Sequence, residues 1–179
     1  MDSFMEMGTT FRHNEIIAEL IMEIAELIKN RREIRMLHEN CSLVYLGKRT
    51  EIDTLFLVDI TQIKDIEHFK ENVMSDLRRV EPDFMLFNKN AYVENKQRTR
   101  IAGYPDLIVE VWSERNDDAE QEFKKFLYST SPKTEHWYIK QDSNDVECFL
   151  GQNVLPTQTL KSILRTQNGL EFDLRYMSV

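Results

Sequence analysis

Apolar positions recur at helical spacing near the start of the chain and at two-residue spacing through its middle. Between residues 14 and 36, Ile16, Ile17, Leu20, Ile21, Ile24, Leu27 and Ile28 fall at steps of three and four, which predicts a helix with one buried face. Asn14 suits its N-cap, and Lys29, Arg31, Arg32 and Arg35 suit its negative C-terminal end. Residues 42–46 and 54–60 predict two strands around a turn at Gly47-Lys48. Residues 64–78 predict a helix with Ile66, Phe69, Val73 and Leu77 on one side. Residues 83–87 predict a short strand, 88–102 a polar and basic loop, and 106–112 a buried strand. Residues 117–129 predict a second amphipathic helix burying Phe123, Phe126 and Leu127. Residues 135–140 and 146–150 predict a hairpin, and residues 170–176 a last strand. In the hairpin, His136 and Trp137 are expected to alternate between surface and core. This order predicts an α/β protein, a mixed β-sheet core flanked by helices.

One position breaks the apolar pattern. In Pro105-Asp106-Leu-Ile-Val-Glu110-Val-Trp-Ser113 an acid stands inside a run that should be buried. A buried charge must be paired, neutralised or bound to a metal. Alternation sets Glu110 on one strand face with Asp106, Ile108 and Trp112. A second Pro-Asp pair, Pro82-Asp83, opens the preceding strand. An acid inside one strand with an Asp at the mouth of another is the raw material of a divalent-metal site. Either Pro-Asp pair alone is more often a turn than a catalytic motif, and Glu110 alone could be paired with a core Arg or Lys.

Composition narrows the class. The 179 residues fit one domain over 1–179, with 41% hydrophobic and 30% charged residues able to fill a core. No run approaches the ~20 apolar residues that span a bilayer, and the N-terminus lacks signal-peptide character. Cys41 and Cys148 are far apart and read as free thiols in a reducing cytoplasm. The net charge of −8 argues against a general nucleic-acid binder. Metal ions and local basic clusters, such as Lys29–Arg32, Arg78-Arg79 and Lys96–Arg100, can still offset repulsion from DNA.

An ordered set of segments resembles the Uma-two family of restriction endonucleases, a branch of the PD-(D/E)XK nuclease superfamily. The segments are His13-Asn-Glu-Ile16, Glu81-Pro-Asp83-Phe-Met-Leu-Phe87, Gly103–Ser113, Glu120-x-x-x-Lys124-x-x-x-Tyr128 and Glu135-His-Trp-Tyr-Ile139. They run from residue 13 to about 150. The resemblance implies a restriction-endonuclease-like fold and a nuclease using Mg²⁺ or Mn²⁺ on DNA. It implies Asp83 and Glu110 as metal ligands and a Lys that activates water or stabilises phosphate. The superfamily's usual Lys position, two residues after the acid, holds Trp112, so the Lys falls on the next helix as Lys124. Its neighbour Lys125 competes, but the Lys-x-x-x-Tyr spacing favours Lys124 and puts Tyr128 on the same helix face. Glu114 and Glu120 stand where the family usually has Pro and Asp.

Geometry selects among the acids. Asp106 and Glu110 lie roughly 13 Å apart along an extended strand at ~3.3 Å per residue, too far to share one ion. If residues 83–87 and 106–112 pair antiparallel, Asp83 falls beside Glu110 and Asp106 at the far end. The resemblance to the wider superfamily implies an acid on the first helix, for which Glu19, Glu23 or Glu26 could serve without spacing choosing among them; Asp106 and Tyr128 are the other secondary candidates, with packing the expected role of Tyr128. His13 is expected to be a hydrogen bonder at the start of the helix rather than a catalytic group. Two functions are open: a metal-dependent endonuclease, or a nuclease-fold module without catalysis that binds protein or nucleic acid. Either could act as a homodimer.

Overall fold

The computed structural model describes residues 2–38, 41–113 and 115–177, and of residues 2–10 and 38 the backbone alone. Glu114 lies outside the described residues. The first helix, α1 (Asp2–Ile28), starts twelve residues earlier than the Asn14 cap implied and ends at Ile28 rather than 36. Beyond Ile28 the three-four spacing lapses, and the Arg31 amide closes a turn onto the Ile28 carbonyl. Ile34 and Met36 then face one side and Leu37 the other. That is a strand pattern, and the segment forms β1 (Ile34–His38). Arg35 is not a helix-terminal charge; it pairs with Glu94 at 2.7 Å and donates to the Tyr92 hydroxyl.

Two strands follow, β2 (Ser42–Lys48) and β3 (Glu51–Leu57), then a 3₁₀ turn at Ile60–Gln62. The hairpin turn falls at residues 49–50 rather than at Gly47-Lys48, which instead sits in a bulge between Leu46 and Lys48. The single helix expected at 64–78 is three short turns: α2 (Ile66–His68), a π-turn at Phe69–Val73 and a 3₁₀ turn at Met74–Asp76. Leu77 is already extended and leads into β4 (Arg78–Val80).

The remaining strands are β5 (Phe84–Asn88), β6 (Tyr92–Glu94), β7 (Arg100–Gly103) and β8 (Leu107–Trp112). After helix α3 (Asp118–Ser129) come β9 (Glu135–Lys140), β10 (Asp145–Leu150), β11 (Asn153–Val154), β12 (Gln158–Thr159), β13 (Ile163–Arg165) and β14 (Glu171–Asp173). The stretch expected as a loop at 88–102 is thus mostly the β6–β7 hairpin. Its turn is organised by the nearly buried Asn95, whose Oδ1 accepts from the amides of Thr99 and Arg100. The last strand is shorter than expected and pairs with β13.

The result is a mixed α/β fold. The main sheet runs β1-β5-β8-β9-β10-β11, with β12 on β10, and a second sheet runs β3-β2-β7-β6, with β4 on β2. One face of the main sheet, with Phe84, Leu86, Val109, Val111 and Trp137, packs on Ile16, Leu20 and Ile24 of α1 and on Leu164 and Phe172 of the β13–β14 hairpin. The other face, with Met85, Ile108, Trp112 and Tyr138, meets Leu43, Tyr45 and Leu55 of the second sheet and Phe123, Leu127 and Tyr128 of α3. With both faces covered, His136 and Trp137 are both buried, contrary to the expected alternation. Phe126, expected in the core, is 36% exposed, and Tyr128 takes the buried place. Cys41 and Cys148 are free thiols. Among the described residues no helix is long and apolar enough to cross a membrane.

Gly47 adopts φ +98°, and a Cβ there would lie 2.1 Å from the Thr54 carbonyl oxygen. Gly169 has φ +88° but nothing within 4 Å of such a Cβ. Gly169→Ala should therefore cost about 1–2 kcal/mol of left-handed strain, and Gly47→Ala clearly more, because its backbone must also shift. Chemical denaturation of both variants checks the order; equal losses would contradict it.

Candidate active site

Strands β5 and β8 pair antiparallel, with Phe84 opposite Val109 and Met85 opposite Ile108. Continuing that register sets Asp83 opposite Glu110. The two acids therefore meet at one end of the pair, and the Asp83 carboxylate Oδ2 accepts from the Val111 amide at 2.8 Å. Asp106 lies at the opposite end, half-buried. Its amide donates to the Leu86 carbonyl, its own carbonyl accepts from the Glu135 amide, and burial raises its pKa.

Helix α3 follows β8 after a short link. Asp117 caps it by accepting from the Ala119 amide, and Phe123, Leu127 and Tyr128 fix which face it buries. One helical turn separates Lys124 from Tyr128, so both side chains reach the same spot. Lys124 Nζ donates to Glu110 Oε2 at 2.9 Å, and the Tyr128 hydroxyl donates to Oε1 at 2.6 Å. Glu110 is 1% exposed, so a carboxylate in the core has a partner on each oxygen. Lys125 points elsewhere: it pairs with Glu147 at 2.9 Å and lies over the rings of Trp112, Tyr138 and Phe149.

Asp83, Glu110 and Lys124 line an open cavity of about 330 Å³, whose walls also include His13, Glu120 and Gln141. Among the described residues, the first-helix side chain that reaches it is His13 rather than an acid. His13 Nε2 lies 3.2 Å from Asp83 Oδ2. Glu19 is half-buried and, like Glu23 and Glu26, does not line this cavity. Glu23 and Glu26 line a separate cleft near Arg31 and Arg175. The sequence does carry a signal for His13. Residues 13, 16, 17 and 20 follow the i, i+3, i+4, i+7 stripe, so His13 extends the buried face by one turn.

The amino-acid sequence matches the family model described as "Uma2: Putative restriction endonuclease" across residues 3–176. The chain belongs to the Uma2 family. A solved structure with a similar fold, a "putative nuclease belonging to DUF820 from Anabaena variabilis ATCC 29413", superposes with a TM-score of 0.59 at 14% identity. The match covers 93% of this Uma2 chain and 79% of that one. At that identity the likeness concerns the fold. No curated protein matches the sequence.

Nuclease folds of this kind imply a divalent ion. Among the described residues of this Uma2 protein, no three His, Cys, Asp or Glu side chains form a metal cluster. Of the three carboxylates on the cavity wall, Glu120 pairs with Arg49, which leaves Asp83 and Glu110 as the donors that lie side by side. That set fits Mg²⁺ or Mn²⁺, since Mg²⁺ keeps several waters and is held by one or two carboxylates plus substrate phosphate. It would not form a closed all-protein cage.

Electrostatics mark the same spot. Burial, opposed by the Lys124 charge and assisted by Asp83, pushes the Glu110 carboxyl up from 4.5 to about 7. The hydrogen bond to Asp83 raises the His13 pKa against the lowering effect of burial. Burial and the neighbouring Glu110 push the Tyr128 hydroxyl well above its ordinary range, so it stays a donor. Between pH 4.5 and about 7 the native state holds a Glu110 proton that the unfolded chain has released. Glu110's contribution to stability therefore falls with rising pH in that window, against an opposite contribution from His136, whose pKa burial lowers from 6.5 to about 4. Glu110→Gln should remove this slope, gaining on the parent by about 3 kcal/mol between the two ends of the window. Urea denaturation of both proteins in EDTA across the window checks it; parallel curves would refute the burial argument.

Proposed function

We propose that this Uma2 protein is a Mg²⁺- or Mn²⁺-dependent endonuclease that hydrolyses DNA phosphodiesters. The observation that carries the reading is one buried acid, Glu110, set beside Asp83 and bonded to Lys124 at 2.9 Å on the wall of an open cavity. Asp83 and Glu110 would hold the ion. When bound, it lowers the pKa of its water and neutralises charge on the attacked phosphate.

The chain's own residues do the rest. Lys124 is tied to Glu110 Oε2 and only 13% exposed, so its ammonium is held at the cavity with little freedom to lose. An entering phosphodiester offers that ammonium further oxygens, and Lys124 then holds both the phosphate and the attacking water. Water adds to phosphorus and gives up one proton to solvent, one P–O ester bond breaks, and the displaced oxygen takes one proton from solvent. Tyr128 keeps the Glu110 carboxylate in one orientation throughout. Glu120, also on the cavity wall, pairs with Arg49 from the β2–β3 turn, which brings a second cation to the rim of an otherwise acidic chain.

A second reading has one specific observation in its favour. Both Glu110 oxygens already have protein partners, which a non-catalytic module could keep as a purely structural ion pair. Supercoiled plasmid incubated with Mn²⁺ and then with EDTA separates the two. Metal-dependent nicking is expected from the parent. Asp83→Ala and Glu110→Ala should each lose it by at least about 100-fold, on the scale of losing one electrostatic group. Lys124→Ala should lose turnover while retaining Mn²⁺ in calorimetry. An inert parent with no divalent-ion thermal shift would leave the non-catalytic module.

A further inference from the structure

Helix α1 delivers His13 to the Asp83 carboxylate, and the delivery is anchored. Ile16, Ile17, Leu20 and Ile24 bury the helix against the main sheet. The preceding residue, Arg12, ties it to the β9–β10 turn: Nε donates to the Gln141 carbonyl at 2.9 Å and Nη2 to Asn144 Oδ1 at 2.6 Å. His13 is therefore placed by the fold rather than swinging on a free surface.

The contact has a defined sense. An ionised carboxylate only accepts, so Nε2 carries the hydrogen. The Val111 amide donates to the same oxygen at 2.8 Å, and His13 Nε2 lies 3.2 Å from it. Two donors from different elements, the β8 backbone and α1, thus converge on Oδ2. Both contacts found among the described residues fall on that oxygen, which turns Oδ1 toward other uses. Glu110 differs, with Lys124 on Oε2 and Tyr128 on Oε1.

We infer that His13 is the positioning residue of Asp83: by donating from Nε2 it fixes the carboxylate so that Oδ1 is the oxygen presented to a divalent cation. The inference rests on the nuclease reading for the cation, but the hydrogen bond can be tested without one. A group that orients a metal ligand typically changes metal affinity 10–100-fold when removed. Gln can place an amide N–H close to where Nε2 lies, whereas Asn is too short.

The test is Mn²⁺ calorimetry on the parent, His13→Ala, His13→Asn and His13→Gln, with amide NMR in EDTA of these and of Asp83→Asn with and without His13→Ala. His13→Ala and His13→Asn should bind Mn²⁺ about 10–100-fold more weakly than the parent, and His13→Gln should bind like the parent. In EDTA the Val111 amide proton should shift in His13→Ala, return in His13→Gln, and ignore His13→Ala once Asp83→Asn is present. A His13→Ala protein with parental affinity, or a His13→Gln protein as weak as His13→Ala, would overturn the inference. If the parent binds no Mn²⁺, the nuclease reading falls, and the Val111 signal alone decides. An amide unmoved by His13→Ala, or not restored by His13→Gln, would then overturn the role given to His13.

Discussion

The structure depends most on making one buried carboxylate tolerable. Glu110 sits mid-strand in β8 between two apolar layers, where an isolated charge would cost several kcal/mol even after relaxation. Its two oxygens are met by Lys124 and Tyr128 from one face of α3. That requirement fixes several other features. Helix α3 must follow β8 closely, must present residues four apart to the same point, and must be seated by Phe123 and Leu127 so that its rotation about its axis is set. The second sheet supports that seat, as Tyr45 packs edge-on against Phe123 with ring centres 5.6 Å apart.

A similar logic places the other acid. Asp83 precedes β5 and reaches across to the backbone of β8, so its position depends on register rather than on a loop. A one-residue slip of β5 against β8 would carry it to the other face of the sheet. The apolar pattern opposes such a slip because both faces of these strands are buried. The site is therefore held by the same packing that holds the core, with α1 on one side and α3 on the other.

The sequence made this part of the molecule unusually legible. An acid in an apolar run is a conflict, and conflicts between local pattern and burial point to function or to a partner. Glu110 could be read for that reason; Lys124 and Tyr128 came from the family resemblance, and the antiparallel pairing that joins Asp83 to Glu110 was a condition left open by the sequence and met by the β5–β8 register. The errors have physical causes too. Residues 34–36 read as the end of the helix because Arg35 suits a helix C-terminus, yet Ile34 and Met36 obey the two-residue step that prevailed. The β6–β7 hairpin was hidden because its apolar content is short and its turn is built by the side chain of Asn95. The partner of His13 was not legible because a histidine near an expected helix start has many ordinary uses; only the tertiary fold shows Asp83 within reach. The covered second face of the main sheet could not be anticipated from β9 alone, which is why His136 and Trp137 were assigned opposite environments.

The hairpin of β13 and β14 carries a consequence for how the molecule can be divided. Leu160, Leu164, Leu170, Phe172 and Leu174 belong to the same cluster as α1 and Trp137, and Glu135 accepts from both the Trp137 indole and the Gln167 amide. A fragment ending near residue 150 would keep every group of the cavity yet leave the floor beneath β9 wet. The tail is a keel rather than an appendage, and expression boundaries drawn around the catalytic-looking segments alone would cut through it.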